Sequence, residues 1–252
     1  ILISLLFLLY SFIIKRAIKR ELSTQDTVKL IIFSIAALIF SYPAVLSYDI
    51  FNYQATAKVA FHYMENPYIV MPAEFKGDEL LAFTRAANKT ALYGPTWITL
   101  SFIPFILGSS SVLLTLFLFK AVSVFFYLLT GFLIHKMTKQ LLPVTLFMLN
   151  PLVLVEVLVS GHNDIVMMFT ALFAFYLIKK RKLFPAILMF VFSIFIKYAT
   201  IFILPIFILF SINIFQKKKV DYPLLWFISL LSMFVIFILS PIREEMYPWY
   251  AL

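Results

Sequence analysis

Long apolar segments recur along the chain from end to end, and they restrict the folds that it can adopt. Residues 30–47, 112–134 and 224–242 each approach the roughly 20 residues that a helix needs to cross a bilayer. Charged residues make up 13% of the 252 residues, whereas a soluble domain carries about 25%. We therefore expect an all-α, polytopic membrane protein whose residues 1–252 form a single transmembrane domain.

Basic residues gather in short clusters, each at one end of an apolar segment. These clusters lie at residues 15–20, 135–139, 179–182 and 217–219. Because cytoplasmic loops of membrane proteins carry such an excess of Lys and Arg, the formal net charge of +9 reflects topology and predicts no nucleic-acid partner. Cysteine is absent, which excludes disulfides and metal sites built from Cys/His clusters.

The same topology predicts a multi-pass protein of the cell membrane with one large external loop, residues 48–95. Residues 49–63 and 78–88 of this loop look helical, and residues 96–107 are too short to span, which predicts a re-entrant or half-buried helix. The sequence starts inside an apolar run and stops shortly after Trp249-Tyr250. We therefore expect a fragment that is truncated at both ends.

Asp49 is the leading catalytic candidate, because it lies where an apolar segment meets the external loop. A carboxylate at such a junction is close enough to the bilayer to meet a lipid-borne substrate and wet enough to stay ionised. It could serve as a general base that deprotonates an acceptor hydroxyl, or it could cap the helix that begins near Ile50. Tyr53 follows one helical turn later, on the same face, where it could hydrogen-bond a substrate.

A few ionisable residues interrupt the apolar segments: Lys120, Glu156, Asp164 and Lys197. Each costs about 2.5–3.5 kcal/mol at membrane depth, which marks such residues as functional candidates. They could instead be interhelical ion pairs, with Lys120 or Lys197 bound to Glu156 or Asp164. Lys197 and Arg243 have the charge to hold a phosphate, although Arg243 could equally pair with a neighbouring glutamate.

Several short motifs, in order along most of the chain, resemble those of bacterial GT-C superfamily glycosyltransferases, in particular the polyprenol-phosphomannose-dependent mannosyltransferases. The motifs are Tyr48-Asp49-Ile50-Phe51-Asn52-Tyr53, Asn66-Pro67-Tyr68, Pro72, Tyr93-Gly94-Pro95, Asn150-Pro151-Leu152, Glu156, Gly161-His162-Asn163-Asp164, Lys197, Pro205 and Tyr247-Pro248-Trp249-Tyr250.

The resemblance implies an inverting transfer of a hexose, expected to be mannose, from a polyprenyl-phosphate donor to an extracytoplasmic lipid, glycan or protein acceptor. It implies that Asp49 is the catalytic base and that the active site lies outside the cytoplasm, in contact with membrane lipids. The substrate-binding candidates are Tyr53, Asn66, Tyr68, Tyr93, Glu156, His162, Asn163, Asp164, Lys197 and Arg243.

The sequence departs from the family pattern at one point. Many GT-C members carry two acids in the first loop motif, whereas Asp49 is followed by Ile50 and Phe51. We therefore expect no metal and no cofactor, since no residue pattern supports a carboxylate-bound divalent cation. The alternatives are a transporter or lipid flippase, which would use intramembrane charges and show internal repeats, and a non-enzymatic scaffold subunit, in which Asp49 would be free to vary.

Overall fold

The computed structural model describes residues 2–43, 47–109 and 111–216, together with Pro223 and Phe227. Every regular element in these residues is helical, which confirms the predicted all-helical membrane protein. The predicted helix 224–242, the basic cluster 217–219, Arg243 and the aromatic motif at residues 247–250 lie outside the described residues.

Ten helices make up the described part of the chain. They are α1 (Leu2–Ile18), α2 (Thr24–Leu38), α3 (Asp49–Phe61), α4 (Pro95–Leu107), α5 (Val112–Thr138), α6 (Leu141–Met148), α7 (Pro151–Val159), α8 (Asp164–Lys179), α9 (Leu183–Ile196) and α10 (Leu204–Phe215). Short 3₁₀ turns lie at Pro72–Glu74, Glu79–Ala82 and Tyr198–Ile203.

Two of these segments are long and apolar enough to cross a membrane within the described residues. They are α5, with 27 residues, and Tyr198–Phe215, with 18 residues. Helices α6 and α7 form a third candidate span that bends by 51°. The bend follows from Asn150-Pro151: proline cannot continue the helix, and the Asn150 side chain accepts the Leu152 N–H at 2.9 Å to start a new one.

Helix α5 is the centre of the bundle, since it contacts α3, α4, α6, α7 and α8. Its Phe119 packs against the buried rings of Tyr53 and Trp97, with centroid distances of 6.0 Å to each. Burial of large aromatic side chains supplies much of the packing energy of such a core. The first half of the 48–94 segment is therefore not a loose loop, because α3 inserts into the core.

Two predicted helix boundaries are wrong. Helix α2 ends at Leu38, well short of residue 47, because the chain turns where the Lys120 ammonium group binds the carbonyl groups of Ile39 and Ser41. The predicted helix 78–88 is only the 3₁₀ turn Glu79–Ala82. There the Asn52 side chain accepts the Ala86 N–H at 3.3 Å, which takes the backbone out of the helical pattern.

Gly94 joins the end of the 48–94 segment to the end of α9. Its N–H donates to the Ile196 carbonyl at 3.1 Å. A Cβ at this position would lie 2.1 Å from the Phe195 carbonyl oxygen, so the two backbones approach as only a glycine allows. The contact places the start of α4 beside Lys197, the residue that follows α9.

We expect Gly94→Ala to destabilise the protein by about 3 kcal/mol, because the new methyl group must displace backbone atoms. The comparison is Gly77→Ala, where a Cβ meets nothing within 4 Å and only the left-handed backbone conformation costs about 1 kcal/mol. Thermal unfolding in detergent measures both. Equal shifts for the two variants would contradict the predicted close contact.

Candidate active site

One histidine lies among three carboxylates at the end of α7. The Nδ1 atom of His162 is 3.3 Å from Asp164 Oδ2 and 3.7 Å from Asp49 Oδ2. Its Nε2 atom is 3.2 Å from Glu156 Oε2, although the angle there is not that of a hydrogen bond. The fold thus brings Asp49 to three candidates that lie close together much later in the sequence. Among the described residues, no group of three or more His, Cys, Asp or Glu side chains is arranged to hold a metal ion.

The turn that carries His162 is determined by local sequence. The second part of α7, Leu154–Val159, is a π-helix, and the His162 N–H still donates to the Glu156 carbonyl at 3.0 Å. Gly161 then adopts a φ of +67°, and a Cβ there would lie 2.8 Å from Ile50 Cδ1. Because Ile50 follows Asp49, this packing sets the histidine turn against the start of α3.

The pKa of His162 is raised above its ordinary value. Burial by itself lowers the pKa, but the hydrogen bond to Asp164 and the negative charges of Asp49 and Glu156 outweigh that effect. The imidazolium form is therefore favoured at a site where it lies between anionic groups. Only 13% of the His162 side chain is exposed, whereas 31% of the Asp49 side chain is, so Asp49 is the more accessible member.

Asp49 is the first residue of α3, and it does not cap the helix. The N-cap residue is Tyr48, and no side chain accepts a hydrogen bond there. The Asp49 carboxylate instead accepts the Asn52 side-chain N–H at 3.5 Å, while its own N–H donates to Ser47 Oγ at 3.1 Å. The carboxylate is left with acceptor capacity on its exposed side.

Lys197 and Asp164 form a two-point ion pair, which is one of the pairings expected from the sequence. Lys197 Nζ is 2.9 Å and 3.0 Å from the two carboxylate oxygens. Lys197 follows α9 in an extended conformation, with a φ of −149° and a ψ of 123°. Because the helix ends there, the Lys197 side chain reaches Asp164 at the start of α8. Lys120 forms no ion pair among the described residues and binds backbone carbonyl groups instead.

Tyr53 lies inside the protein and holds the histidine turn. Its hydroxyl group donates to Asn163 Oδ1 at 3.1 Å and accepts the Asn163 N–H at 3.2 Å. Only 1% of Tyr53 is exposed. The structure therefore brings Tyr53 and Asn163 to the site, but it places Tyr53 behind the turn, where its hydroxyl group supports Asn163.

Tyr93 lies beside Tyr53, whereas Asn66 and Tyr68 lie farther out. The ring centroids of Tyr53 and Tyr93 are 4.8 Å apart. Burial, together with the charge of Asp49, raises the pKa of the Tyr93 hydroxyl group, which stays a neutral donor. The Tyr68 hydroxyl group donates to the Tyr93 carbonyl at 2.9 Å, and Asn66 Oδ1 accepts the Tyr68 N–H at the exposed surface. These two residues hold the segment in place around Tyr93.

Four buried polar atoms around the site have no hydrogen-bond partner among the described residues: Tyr93 Oη, Ser160 Oγ, His162 Nε2 and Asn163 Nδ2. A buried polar group without a partner costs about 1–3 kcal/mol. Because these atoms cluster beside the carboxylates and lower the stability of the protein, they indicate a binding site for a polar ligand.

Two neighbouring residues were not identified from the sequence. Asn52 could have been identified, because it lies three residues after Asp49 in a predicted helix and therefore on the same face. Arg85 could not, since it reaches the site through the irregular stretch after Ala82. Its guanidinium group lies 4.5 Å from the centre of the Tyr48 ring, and its Nη2 atom is 3.4 Å from the Tyr48 hydroxyl group. Arg85 thus places a positive charge beside the residue that precedes Asp49.

Comparison with known families gives a match over most of the chain. A family model of the MptA_B family, described as alpha-(1->6)-mannopyranosyltransferase, N-terminal domain, matches residues 1–213. No curated protein and no solved structure gives a match. The matched range contains every described residue of the site, from Asp49 to Lys197.

The raised pKa of His162 predicts a pH dependence of stability. The imidazolium contributes stability that is fully present below the unfolded-state pKa of about 6.5, and this contribution is lost as the pH rises through the higher folded-state pKa. We therefore expect the melting temperature of the wild type in detergent to fall more steeply above pH 6.5 than that of His162→Gln.

The control is His62→Gln, because the His62 side chain is exposed and forms no ion pair among the described residues. This variant should follow the wild-type curve. Parallel curves for the wild type and His162→Gln would mean that the imidazolium does not stabilise the carboxylate cluster.

Proposed function

Because the chain belongs to the MptA_B family of alpha-(1->6)-mannopyranosyltransferases, we propose that it transfers mannose from a polyprenyl-phosphate carrier to a hydroxyl group of a glycan or lipid acceptor. Its enzyme class, glycosyltransferase, follows from the family. The finer features are part of the proposal: the lipid-linked donor, inversion, and Asp49 as general base. An α product formed by inversion requires a β-linked donor.

The observation that carries the proposal is the position of the Asp49 carboxylate. It is partly exposed, with 31% of its side chain accessible, and it lies at the positive end of the α3 dipole, which favours a negative charge. His162 lies behind it at 3.7 Å. A carboxylate that is oriented by the protein on one side and open on the other suits a general base.

The proposed reaction is a single displacement. The oxygen of the acceptor hydroxyl group attacks the sugar C1 atom, and a carboxylate oxygen of Asp49 accepts the hydroxyl proton. The bond between C1 and the phosphate oxygen breaks, and its electron pair leaves on the lipid phosphate. The proton passes to Asp49, and it leaves from there to solvent through the exposed side of the carboxylate.

The leaving phosphate requires a positive charge, and Lys197 is the described candidate. It is held by Asp164 at 2.9 Å and 3.0 Å, but an ammonium group has three donors, and 35% of this side chain is exposed. Arg243, the second cation that we propose from the sequence, lies outside the described residues. Arg85, beside Tyr48, is a further cation on the Asp49 side of the site.

The polar atoms around the histidine turn suit the hydroxyl groups of a sugar. Tyr93 Oη and Asn163 Nδ2 are donors without partners among the described residues, and the Glu156 side chain is 39% exposed. A hexose presents several hydroxyl groups that both donate and accept. We propose that these side chains, with Asp164, bind the sugar, and that Asn66 and Tyr68 act through the position of Tyr93.

The basic cluster at residues 179–182 and the carboxylate site lie at opposite ends of α8, which supports a location of the site outside the cytoplasm. Helix α8, Asp164–Lys179, has 16 residues and is roughly 24 Å long. By the positive-inside rule, the end of α8 near Lys179 faces the cytoplasm. We therefore propose a multi-pass protein with segment 48–95 outside. A transporter is not favoured, because the matched family is a family of enzymes.

We expect Asp49→Asn to lower kcat by about 10²- to 10⁴-fold, because an amide cannot accept the proton of the acceptor. Membranes that contain the full-length protein would receive radiolabelled polyprenyl-phosphate mannose, with a labelled nucleotide sugar in parallel. Transfer of label into lipid and polymer fractions is the readout.

Glu65→Gln is the matched control, since it removes an exposed carboxylate from the same segment and should leave transfer unchanged. Equal transfer by the wild type and Asp49→Asn would contradict the role of Asp49. Transfer from the nucleotide sugar alone would overturn the lipid-linked donor and leave the enzyme class intact.

A further inference from the structure

Lys120 is a buried cation that the proposed reaction does not use. It lies within α5, and none of its surface is exposed. Its Nζ atom donates to the carbonyl oxygen of Ile39 at 2.8 Å and to that of Ser41 at 2.7 Å. No carboxylate in the described part of the chain pairs with it. An ionised side chain at this depth is costly, so its retention calls for a physical role.

The ammonium group binds the end of α2. The last carbonyl groups of a helix have no partner within the helix, and they carry the negative end of its dipole. Helix α2 ends at Leu38, and the carbonyl groups of Ile39 and Ser41 lie within the next three residues. Charge-assisted hydrogen bonds from Lys120 satisfy both. The cation therefore fixes the place at which α2 stops and the chain turns toward α3.

The aliphatic part of the same side chain packs beside the histidine turn. A Cβ at Gly161 would lie 3.5 Å from Lys120 Cγ and 2.8 Å from Ile50 Cδ1. Lys120 and Ile50, both without exposed surface, therefore pack closely over the glycine. One side chain thus touches the end of α2 with its ammonium group, and its stem lies with the Ile50 side chain against Gly161 in the turn before His162.

We propose that Lys120 is a positioning residue, which sets the distance between Asp49 and His162 by tying the end of α2 to α5 beside the Gly161 turn. This inference rests on the proposed role of Asp49 in transfer. Lys120 does not touch the substrate. It acts through its stem, which the two carbonyl contacts hold in place beside Ile50 and the Gly161 turn.

Lys120→Met tests the proposal, because methionine keeps an unbranched apolar side chain and removes the ammonium group. We expect kcat for mannosyl transfer to fall by about 10- to 100-fold, since a displacement of about 1 Å has such an effect. KM for the lipid-linked donor should stay within about twofold of the wild type, because the groups proposed to bind the donor are unchanged. Lys120→Arg, which restores a cation with several donors, should recover part of the lost rate.

A second readout follows the end of α2 directly and does not require activity. The chain has no cysteine, so Ser41→Cys introduces a single thiol at a half-buried position next to the anchored carbonyl groups. In the Lys120→Met background we expect its reaction with a maleimide to be about fivefold faster or more, because two carbonyl groups lose their donor and the local structure opens more often.

Ser123→Ala is the matched control in the same helix. Ser123 has no exposed surface, and its hydroxyl group donates to Phe119 of its own helix at 3.3 Å. Its kcat should match the wild type, and Ser41→Cys should be labelled at the same rate with and without Ser123→Ala. If Lys120→Met fails to accumulate in membranes, Lys120→Gln, which keeps a neutral N–H donor, provides the same comparison.

Faster labelling with unchanged kcat would show that Lys120 only stabilises the end of α2, and it would overturn the positioning role. A loss of rate with unchanged labelling would overturn the anchor. If wild-type membranes transfer no mannose, the proposed function fails, and the labelling comparison still decides whether Lys120 holds the end of α2.

Discussion

Three cationic side chains of the described residues, Lys120, His162 and Lys197, are tied to carboxylates or to backbone carbonyl groups, because a bundle of apolar helices offers them little water. Lys197 binds Asp164 through both carboxylate oxygens, and Lys120 binds two carbonyl groups at the end of α2. The His162 imidazole lies among three carboxylates. The contacts of Lys197 with Asp164, of Lys120 with the end of α2 and of His162 with Asp49 also join different helices. The cost of charge at membrane depth thus determines which helix ends must meet, and those helix ends form the site.

The sequence predicted those helix ends and breaks that depend on neighbouring residues. The break at Asn150-Pro151, the short helix α4 and the start of α3 at Asp49 follow from proline geometry and segment length, and the structure confirms them. The predicted ends of α2 and of helix 78–88 were wrong because distant side chains decide them: Lys120 for the first and Asn52 for the second. Neither contact has a signal in the local sequence.

In the candidate site, too, the sequence identified several residues but not the contacts between them. Membrane-depth charge identified Glu156, Asp164 and Lys197 as candidates, and a position at a segment junction identified Asp49. Which cation pairs with which carboxylate depends on the direction that the Lys197 side chain takes after α9, and hydropathy does not determine that direction. Arg85 reaches Tyr48 through an irregular stretch, so no periodicity could have predicted it.

The π-helical turn at Leu154–Val159 makes the number of residues in this stretch part of the site. Such turns are rare and lie frequently at functional sites. The wide turn carries Glu156, and the N–H of His162 still reaches the Glu156 carbonyl group at 3.0 Å. Deletion of one residue here would narrow the turn and move Glu156 relative to His162, while the neighbouring α-helices could keep their own winding. A protein engineer could therefore exchange side chains in this stretch more safely than change its length.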